Sequence, residues 1–316
     1  MALTSELYTA YKEAMRRVIV GQEEAVRLLA IALFTEGHVL LEGVPGTAKT
    51  TLVRAFARAL NLDFKRVQFT PDLMPSDILG TQVFDFREGK FRSVRGPVFS
   101  NILLADEINR APAKTQAALL ECMQERQVSI EGEPHPLPSP FFVLATQNPI
   151  EHEGTYPLPE AQLDRFLFKV VLDYPTEAEE VEILMHHRGD TAHLYNLLEE
   201  VPQVADSRRL EAVKEEVLGV SLRPEVVAYI VKLVRATRDH PSLSLGGSPR
   251  AAILLEVAAK AQAAIQDRGF VTPDDVKAVL KPVLRHRLLL SAAAEVEGLT
   301  VDQVLEGIAN AVPVPR

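Results

Sequence analysis

Eight consecutive residues, Gly43-Val44-Pro45-Gly46-Thr47-Ala48-Lys49-Thr50, end in a lysine and a hydroxyl directly ahead of an apolar helical run, Leu52 to Leu60. A short apolar stretch, His38 to Glu42, comes immediately before them. A strand that turns through glycines into a helix start gathers backbone N–H groups and the positive end of a helix at one point, where a phosphate chain can be wrapped. In that setting Lys49 neutralises β- and γ-phosphates, the Thr50 hydroxyl holds Mg²⁺, and Thr51 stands in the same first turn. The general pattern has glycine where this chain has Ala48. A methyl is the smallest intrusion there, and alanine donates its N–H as glycine does when φ and ψ are helical. A Gly/Pro turn that merely joins strand to helix is the plainer reading, and the Lys-Thr ending argues against it.

A second apolar run, Ile102 to Ala105, ends in Asp106-Glu107. Asp106 can hold a Mg²⁺-bound water and Glu107 can polarise an attacking water, which would turn a phosphate-binding loop into a hydrolase. An acidic pair after a strand also serves as an ordinary helix start, and only its pairing with the loop favours chemistry. Asn148 closes a third run, Ala145-Thr146-Gln147-Asn148-Pro149, where an amide could orient the lytic water or simply make an Asn-Pro turn. Two arginines are singled out, because guanidinium suits charge on a transferred phosphoryl group. Arg165 lies in Leu163-Asp164-Arg165-Phe166, and Arg250 follows Ser248-Pro249. A structural ion pair, such as Asp164 with Arg165, is the alternative for either.

The elements that must position these residues are legible as pattern. Helices are expected from about Leu3 to Val18 and from Gln22 to Phe34. Strands are expected at His38–Glu42, Phe64–Phe69, Asn101–Asp106, Phe141–Gln147 and Phe168–Leu172. Unbroken apolar strands alternating with helices predict an α/β half built on one five-stranded parallel sheet. No further strand is expected beyond Asp173. The second half reads as helical, with a capping box at Thr176/Glu179 and caps ahead of proline at Ser248-Pro249 and Thr272-Pro273. The polar stretch Gly189 to Asp206 is the expected junction, giving units 1–190 and 191–316.

With these residues in place, the chain resembles the MoxR family of AAA+ ATPases. The resemblance rests on the phosphate loop, in which Ala48 is typical of that family, and on Leu104-Ala105-Asp106-Glu107-Ile108-Asn109-Arg110-Ala111-Pro112-Ala113-Lys114. It continues through Ala145 to Pro149, Leu158 to Phe166 and Ser248-Pro249-Arg250, and so covers nearly the whole chain. It implies a RecA-like AAA+ core followed by an all-α helical lid, assembled as a hexameric ring with ATP between subunits. Lys49 and Thr50 would be Walker A, Asp106 and Glu107 Walker B, Asn148 sensor 1, Arg165 the finger on the neighbour's ATP and Arg250 sensor 2, coupling phosphate state to lid position. Val20 and Gly21 fall where the family cradles adenine. An insertion at about 71–97 holds a hairpin-like run, Gln82 to Phe86 and Phe91 to Val94, made basic by Arg87, Lys90, Arg92 and Arg95, and is the candidate for substrate contact; a hairpin before Phe141 is the second. A partner with a von Willebrand factor A domain, a protein client and a role in maturing complexes or inserting metal cofactors are implied too. A magnesium-chelatase-like motor subunit is the alternative, with a DNA-acting ring behind it.

Composition bounds these readings. The chain has 316 residues, 47% hydrophobic and 24% charged, the balance of a folded protein large enough for two compact units. A single cysteine, Cys122, excludes an intrachain disulfide, and the eight histidines show no zinc-type spacing. No apolar run reaches membrane-spanning length and Met1 to Lys12 lacks the order of a signal peptide, so a cytoplasmic location is expected. The net charge of −9 works against broad binding to nucleic acid.

Overall fold

The computed structural model describes residues 2–44, 46–47, 49–148, 155–187 and 198–315. Helices α1 (Ala2–Arg16) and α2 (Glu23–Phe34) lead into β1 (His38–Gly43) and α3 (Lys49–Ala59). Then come β2 (Phe64–Gln68), the short α4 (Pro75–Leu79) and a hairpin of β3 (Gly80–Asp85) and β4 (Lys90–Arg95). Strand β5 (Ile102–Asp106) and α5 (Ala113–Glu125) follow, then a second hairpin of β6 (Gln127–Ile130) and β7 (Glu133–Pro136). Strand β8 (Phe142–Gln147), α6 (Glu160–Leu163), β9 (Phe166–Leu172) and α7 (Glu177–His187) complete this half.

The five expected strands form one parallel sheet in the order β2-β5-β8-β1-β9. Its middle follows from composition: β5 is buried at every residue and β8 at all but Gln147, because helices cover both faces and only continuous apolar runs fit there. Strand β2 lies at an edge, and there Lys65, Arg66 and Gln68 are exposed. Parallel pairing gives the sheet two unlike ends. Glu42 pairs with Gln147 and Gln68 with Asp106 at one end, while His38 pairs with Phe166 at the other.

The helical half comprises α8 (Ser207–Leu218), α9 (Pro224–Arg238), α10 (Pro249–Ile265), α11 (Pro273–Leu284), α12 (Ala292–Val296) and α13 (Val301–Ala311). The predicted caps are in place. The Ser248 hydroxyl accepts from the Ala251 N–H at 3.3 Å, and Thr272/Asp275 and Thr176/Glu179 exchange capping-box hydrogen bonds. One expectation fails: two further strands, β10 (Leu243–Leu245) and β11 (Leu289–Leu290), pair antiparallel. They are too short for alternation to be read in a sequence, and the Ser244 hydroxyl secures them by donating to the Leu290 carbonyl at 2.8 Å.

The expected junction falls partly on residues 188–197, outside the described residues. Beyond them the chain returns to the first half, with Val204 N–H donating to Ala59 O (2.7 Å) and Asn61 N–H to Ala205 O (2.8 Å). Apolar side chains of α1, α2, α3 and β1 share one continuous cluster with those of α8 to α11 and α13, so the two halves are welded through a common core. Cys122 is buried, and burial, with Glu121 nearby, pushes its thiol up to about 12, which leaves it no nucleophilic role.

His38 is locked between β8 and α5. The Val143 N–H donates to its Nδ1 at 3.1 Å and its Nε2–H donates to the Met123 carbonyl at 3.2 Å, which fixes the neutral tautomer. Burial, then the Arg126 guanidinium, lowers its pKa from 6.5 to about 3. Between those values the unfolded chain binds a proton that the folded chain refuses. The contribution is therefore complete above the unfolded pKa and is lost as pH falls, at up to about tenfold in the folding constant per pH unit. His38→Gln is expected to lower stability at neutral pH yet flatten its fall between pH 6.5 and 4, as measured by urea unfolding; a slope unchanged from wild type would refute the linkage.

Candidate active site

The phosphate loop joins β1 to α3, as its residues require. A side chain on Gly43 would stand 2.8 Å from the Leu172 carbonyl and 3.0 Å from the Thr47 hydroxyl, so only glycine leaves room for both. Gly46 has φ +91°, a left-handed turn that glycine adopts without strain. The Thr47 hydroxyl donates to the Val44 carbonyl at 2.9 Å and closes the loop. Lys49 and Thr50 open α3, whose first N–H groups have no intrahelical acceptor, and Thr51 shares that first turn. Lys49 Nζ folds back on the loop, donating to the carbonyls of Gly43 and, at 3.0 Å, Val44. Pro45 and Ala48 lie outside the described residues.

Asp106 is the last residue of β5 and is buried, while Glu107 turns out of the strand with φ 56°, a left-handed conformation that β-branched or bulky residues rarely adopt. Thr146 of β8 bridges the two: its hydroxyl donates to Asp106 Oδ1 at 2.6 Å and accepts the Glu107 N–H at 2.8 Å. The other Asp106 oxygen, Oδ2, accepts from Arg66 Nη2 at 2.6 Å and Nε at 3.1 Å. Glu107 Oε2 accepts from Gln68 Nε2 at 2.7 Å and from Arg110 Nη1 at 2.9 Å. Both acids are thus held by side chains from the edge strand β2. Asn148 is buried one residue past Gln147, which pairs with Glu42 of β1, and so lies at the same end of the sheet as Gly43 and Asp106.

A hydroxyl and a carboxylate, Thr50 and Asp106, make the hard oxygen set that Mg²⁺ takes while keeping several of its waters. Their chemistry fits the ion, and the positive charge that Asp106 already attracts shows that the position favours a cation. Val20 and Gly21 sit at this end too: Gln22 Nε2 donates to the carbonyl of Asp173, the residue after Leu172, which pairs with Gly43. Gly21 has φ +75°, and a side chain there would meet the Glu179 carboxylate at about 2.5 Å.

The two arginines are elsewhere. Phe166 pairs with His38 and Leu172 with Gly43, so Arg165, one residue before Phe166, lies seven steps from the level of the loop. At ~3.3 Å per residue that is about 23 Å, beyond the reach of any side chain. Arg165 instead lines a surface cleft of about 500 Å³ with Gln162, Glu121 and Gln124. The alternative, an ion pair of Asp164 with Arg165, is not formed. Asp164 takes Arg287 Nε at 2.7 Å and Arg250 Nε at 3.4 Å. Arg250 is therefore held beside Arg165 at the end of the sheet opposite its own phosphate loop, and in this structure it does not reach the phosphate site of its own chain. The lid is docked there by Arg287, which also donates to the carbonyls of Leu167 (3.3 Å) and Asp164 (3.0 Å), and by His286 on the Phe166 carbonyl (3.0 Å).

Arg66, Gln68 and Thr146 were outside the expected site. Polar residues at alternate positions of a strand next to Asp106, and a threonine inside a buried strand, are the signals that mark them. In the first hairpin Arg87, Lys90, Arg92 and Arg95 are all exposed, as expected, and Arg95 is also stacked over Phe99 at 5.1 Å.

Comparison with known proteins agrees with this geometry. Residues 38–168 match the model of the ATPase family associated with various cellular activities (AAA), and residues 235–308 match an AAA lid domain. The chain is 44% identical over 325 residues to Chaperone MoxR1 of Mycobacterium tuberculosis, covering 99% of this chain and 84% of that one. It is 46% identical over 303 residues to the uncharacterized protein YeaC of Bacillus subtilis, covering 96% and 93%. A crystal structure of a Cytophaga hutchinsonii protein matches with a TM-score of 0.89 and 42% identity, over 99% of this chain and 97% of the other. With its phosphate loop, its acid pair and its lid in their places, the chain belongs to the MoxR family of AAA+ ATPases.

Proposed function

We propose that this ATPase works as a ring, most simply a hexamer, in which each ATP is held by one subunit and completed by arginines of the next. The observation that carries the reading is the separation of about 23 Å along β9 between the phosphate loop and Arg165. A guanidinium at that end of the sheet acts on a transferred phosphoryl group only if the group belongs to another copy. Arg250, tethered through Asp164 beside Arg165, falls under the same geometric constraint, so both arginines serve the neighbour's ATP. A head-to-tail interface of this kind closes into a ring when its rotation permits.

Within one site the roles divide by position. Loop N–H groups and Lys49 hold the β- and γ-phosphates, and Thr50 and Asp106 would hold Mg²⁺, which would supply neutralisation of phosphate charge. Glu107, once released from Gln68 and Arg110, accepts a proton from the attacking water that Asn148 orients. Val20 and Gly21 bound the adenine side. As the phosphate departs, the arginines lose their charged partner, and because Arg250 opens a lid helix the change is passed to the lid of the adjacent subunit.

The work done by this cycle is the remodelling of a protein client, in company with a partner such as a von Willebrand factor A domain protein, toward maturation of a complex or insertion of a metal cofactor. The MoxR1 relative is named a chaperone. The β3/β4 hairpin gives the reading a surface: Phe84, Phe86 and Phe91 stack edge to face at 5.1 Å between ring centres, yet Phe86 is 90% and Phe91 68% exposed. Exposed aromatics flanked by Arg87, Lys90 and Arg92 suit an apolar, acidic stretch of polypeptide. Among the described residues no helix is long and apolar enough to cross a membrane.

Glu107→Gln is expected to retain nucleotide binding while its hydrolysis falls on the order of 10²-fold or more, read by equilibrium binding and by phosphate release. Arg165→Ala is expected to lose about 10³-fold in turnover. Mixing these two inactive proteins restores about a quarter of the interfaces, and hence measurable turnover; a mixture as inactive as its parts would overturn the shared site. Arg250→Ala mixed with Glu107→Gln is expected to recover likewise, whereas Arg250→Ala mixed with Arg165→Ala stays inactive, since both defects lie on one face. Recovery in that last mixture would return Arg250 to the site of its own chain.

A further inference from the structure

Asp106 carries a counter-ion that no role in the ATPase cycle has yet used. Arg66 sets two guanidinium nitrogens on one carboxylate oxygen, at 2.6 and 3.1 Å, while the Thr146 hydroxyl occupies the other at 2.6 Å. The two partners differ in freedom. The Asp106 side chain is 11% exposed at the end of a central strand, whereas the Arg66 side chain is 48% exposed on the edge strand β2. Asp106 cannot turn away without leaving a buried carboxylate uncompensated, but Arg66 can swing into solvent at little cost. A metal-bound water approaching Asp106 needs the oxygen that Arg66 covers, and a guanidinium and a divalent cation a few ångströms apart repel.

We propose that Arg66 is a placeholder cation, neutralising Asp106 in the nucleotide-free chain and displaced by Mg²⁺-nucleotide, so that it sets the magnesium concentration at which nucleotide is retained. The inference rests on the reading of Asp106 as the carboxylate on the magnesium side. Gln68, two residues along on the same face of β2, accepts from Arg66 Nη2 at 3.2 Å and donates to Glu107. Release of Arg66 therefore also loosens the side chain that holds Glu107 away from the attacking water. Arg66 acts through Asp106 and Glu107 and is a positioning residue.

The test is equilibrium binding of a fluorescent ADP to the full chain at fixed nucleotide, titrated with free Mg²⁺, for wild type, Arg66→Gln, Arg66→Lys and Asp106→Asn. Removal of a competing cation is expected to move the Mg²⁺ midpoint of Arg66→Gln to about three- to tenfold lower concentration, with affinity in EDTA changed less than about twofold. Arg66→Lys keeps the charge and loses the paired contact, so its midpoint falls between the two. A midpoint unchanged or raised in Arg66→Gln, in protein with a cooperative melt, overturns the proposal, since a permanent strut for Asp106 would weaken magnesium when removed. If Arg66→Gln does not fold, an Arg66→Lys midpoint at or above that of wild type overturns it equally. Magnesium dependence that survives in Asp106→Asn refutes the underlying reading of the site, an outcome separable from failure at Arg66 alone.

Discussion

The constraint on which the rest depends is the polarity of a parallel sheet. With every strand running the same way, all carboxyl ends meet at one edge and all amino ends at the other. The loop after β1, the acids after β5 and the amide after β8 converge because the register aligns Glu42 with Gln147, and Gln68 with Asp106. The same polarity forbids a residue that precedes β9 from joining them. An arginine placed at the amino end is out of reach of its own chain's phosphate loop, which is the premise of the proposed shared site.

The lid repeats that division rather than undoing it. Arg287 is 7% exposed and burial lowers its pKa to about 10, which still leaves it charged at neutral pH. A buried charge is tolerated only when paired and hydrogen-bonded, and Asp164 with the carbonyls at the start of β9 supplies both. This cluster fastens the lid to the amino end of the sheet, and Arg250 goes with it. Because α8 to α11 share a hydrophobic cluster with α1 to α3, the lid cannot swing as a free body.

The acid pair shows how a site can be complete in composition and yet not poised. Asp106 is covered by Arg66, and Glu107 is turned toward Gln68 and Arg110. Charges taken out of water need partners, and Arg66, Gln68 and Arg110 supply them here. Thr146 serves both acids at once, and the left-handed turn at Glu107 is the conformational cost of placing two carboxylates from one strand end on different sides of one hydroxyl.

Taken alone, the sequence determined the things that depend on local order. Glycines next to Lys49 and Thr50, continuous apolar runs that only covered strands can use, and Thr272 or Ser248 ahead of proline each act within a few residues, and each was found where expected. Strands β10 and β11 were not legible because three and two residues are too few to show a period. What only the tertiary structure decided are relations between distant segments: that Asp164 binds Arg287 and Arg250 rather than its neighbour Arg165, and that Arg66 and Gln68 reach the acids of the adjacent strand. Residue type declares that an arginine can stabilise a phosphate or a carboxylate. Which one it meets is set by strand register and helix packing, long-range terms that no short stretch of chain contains.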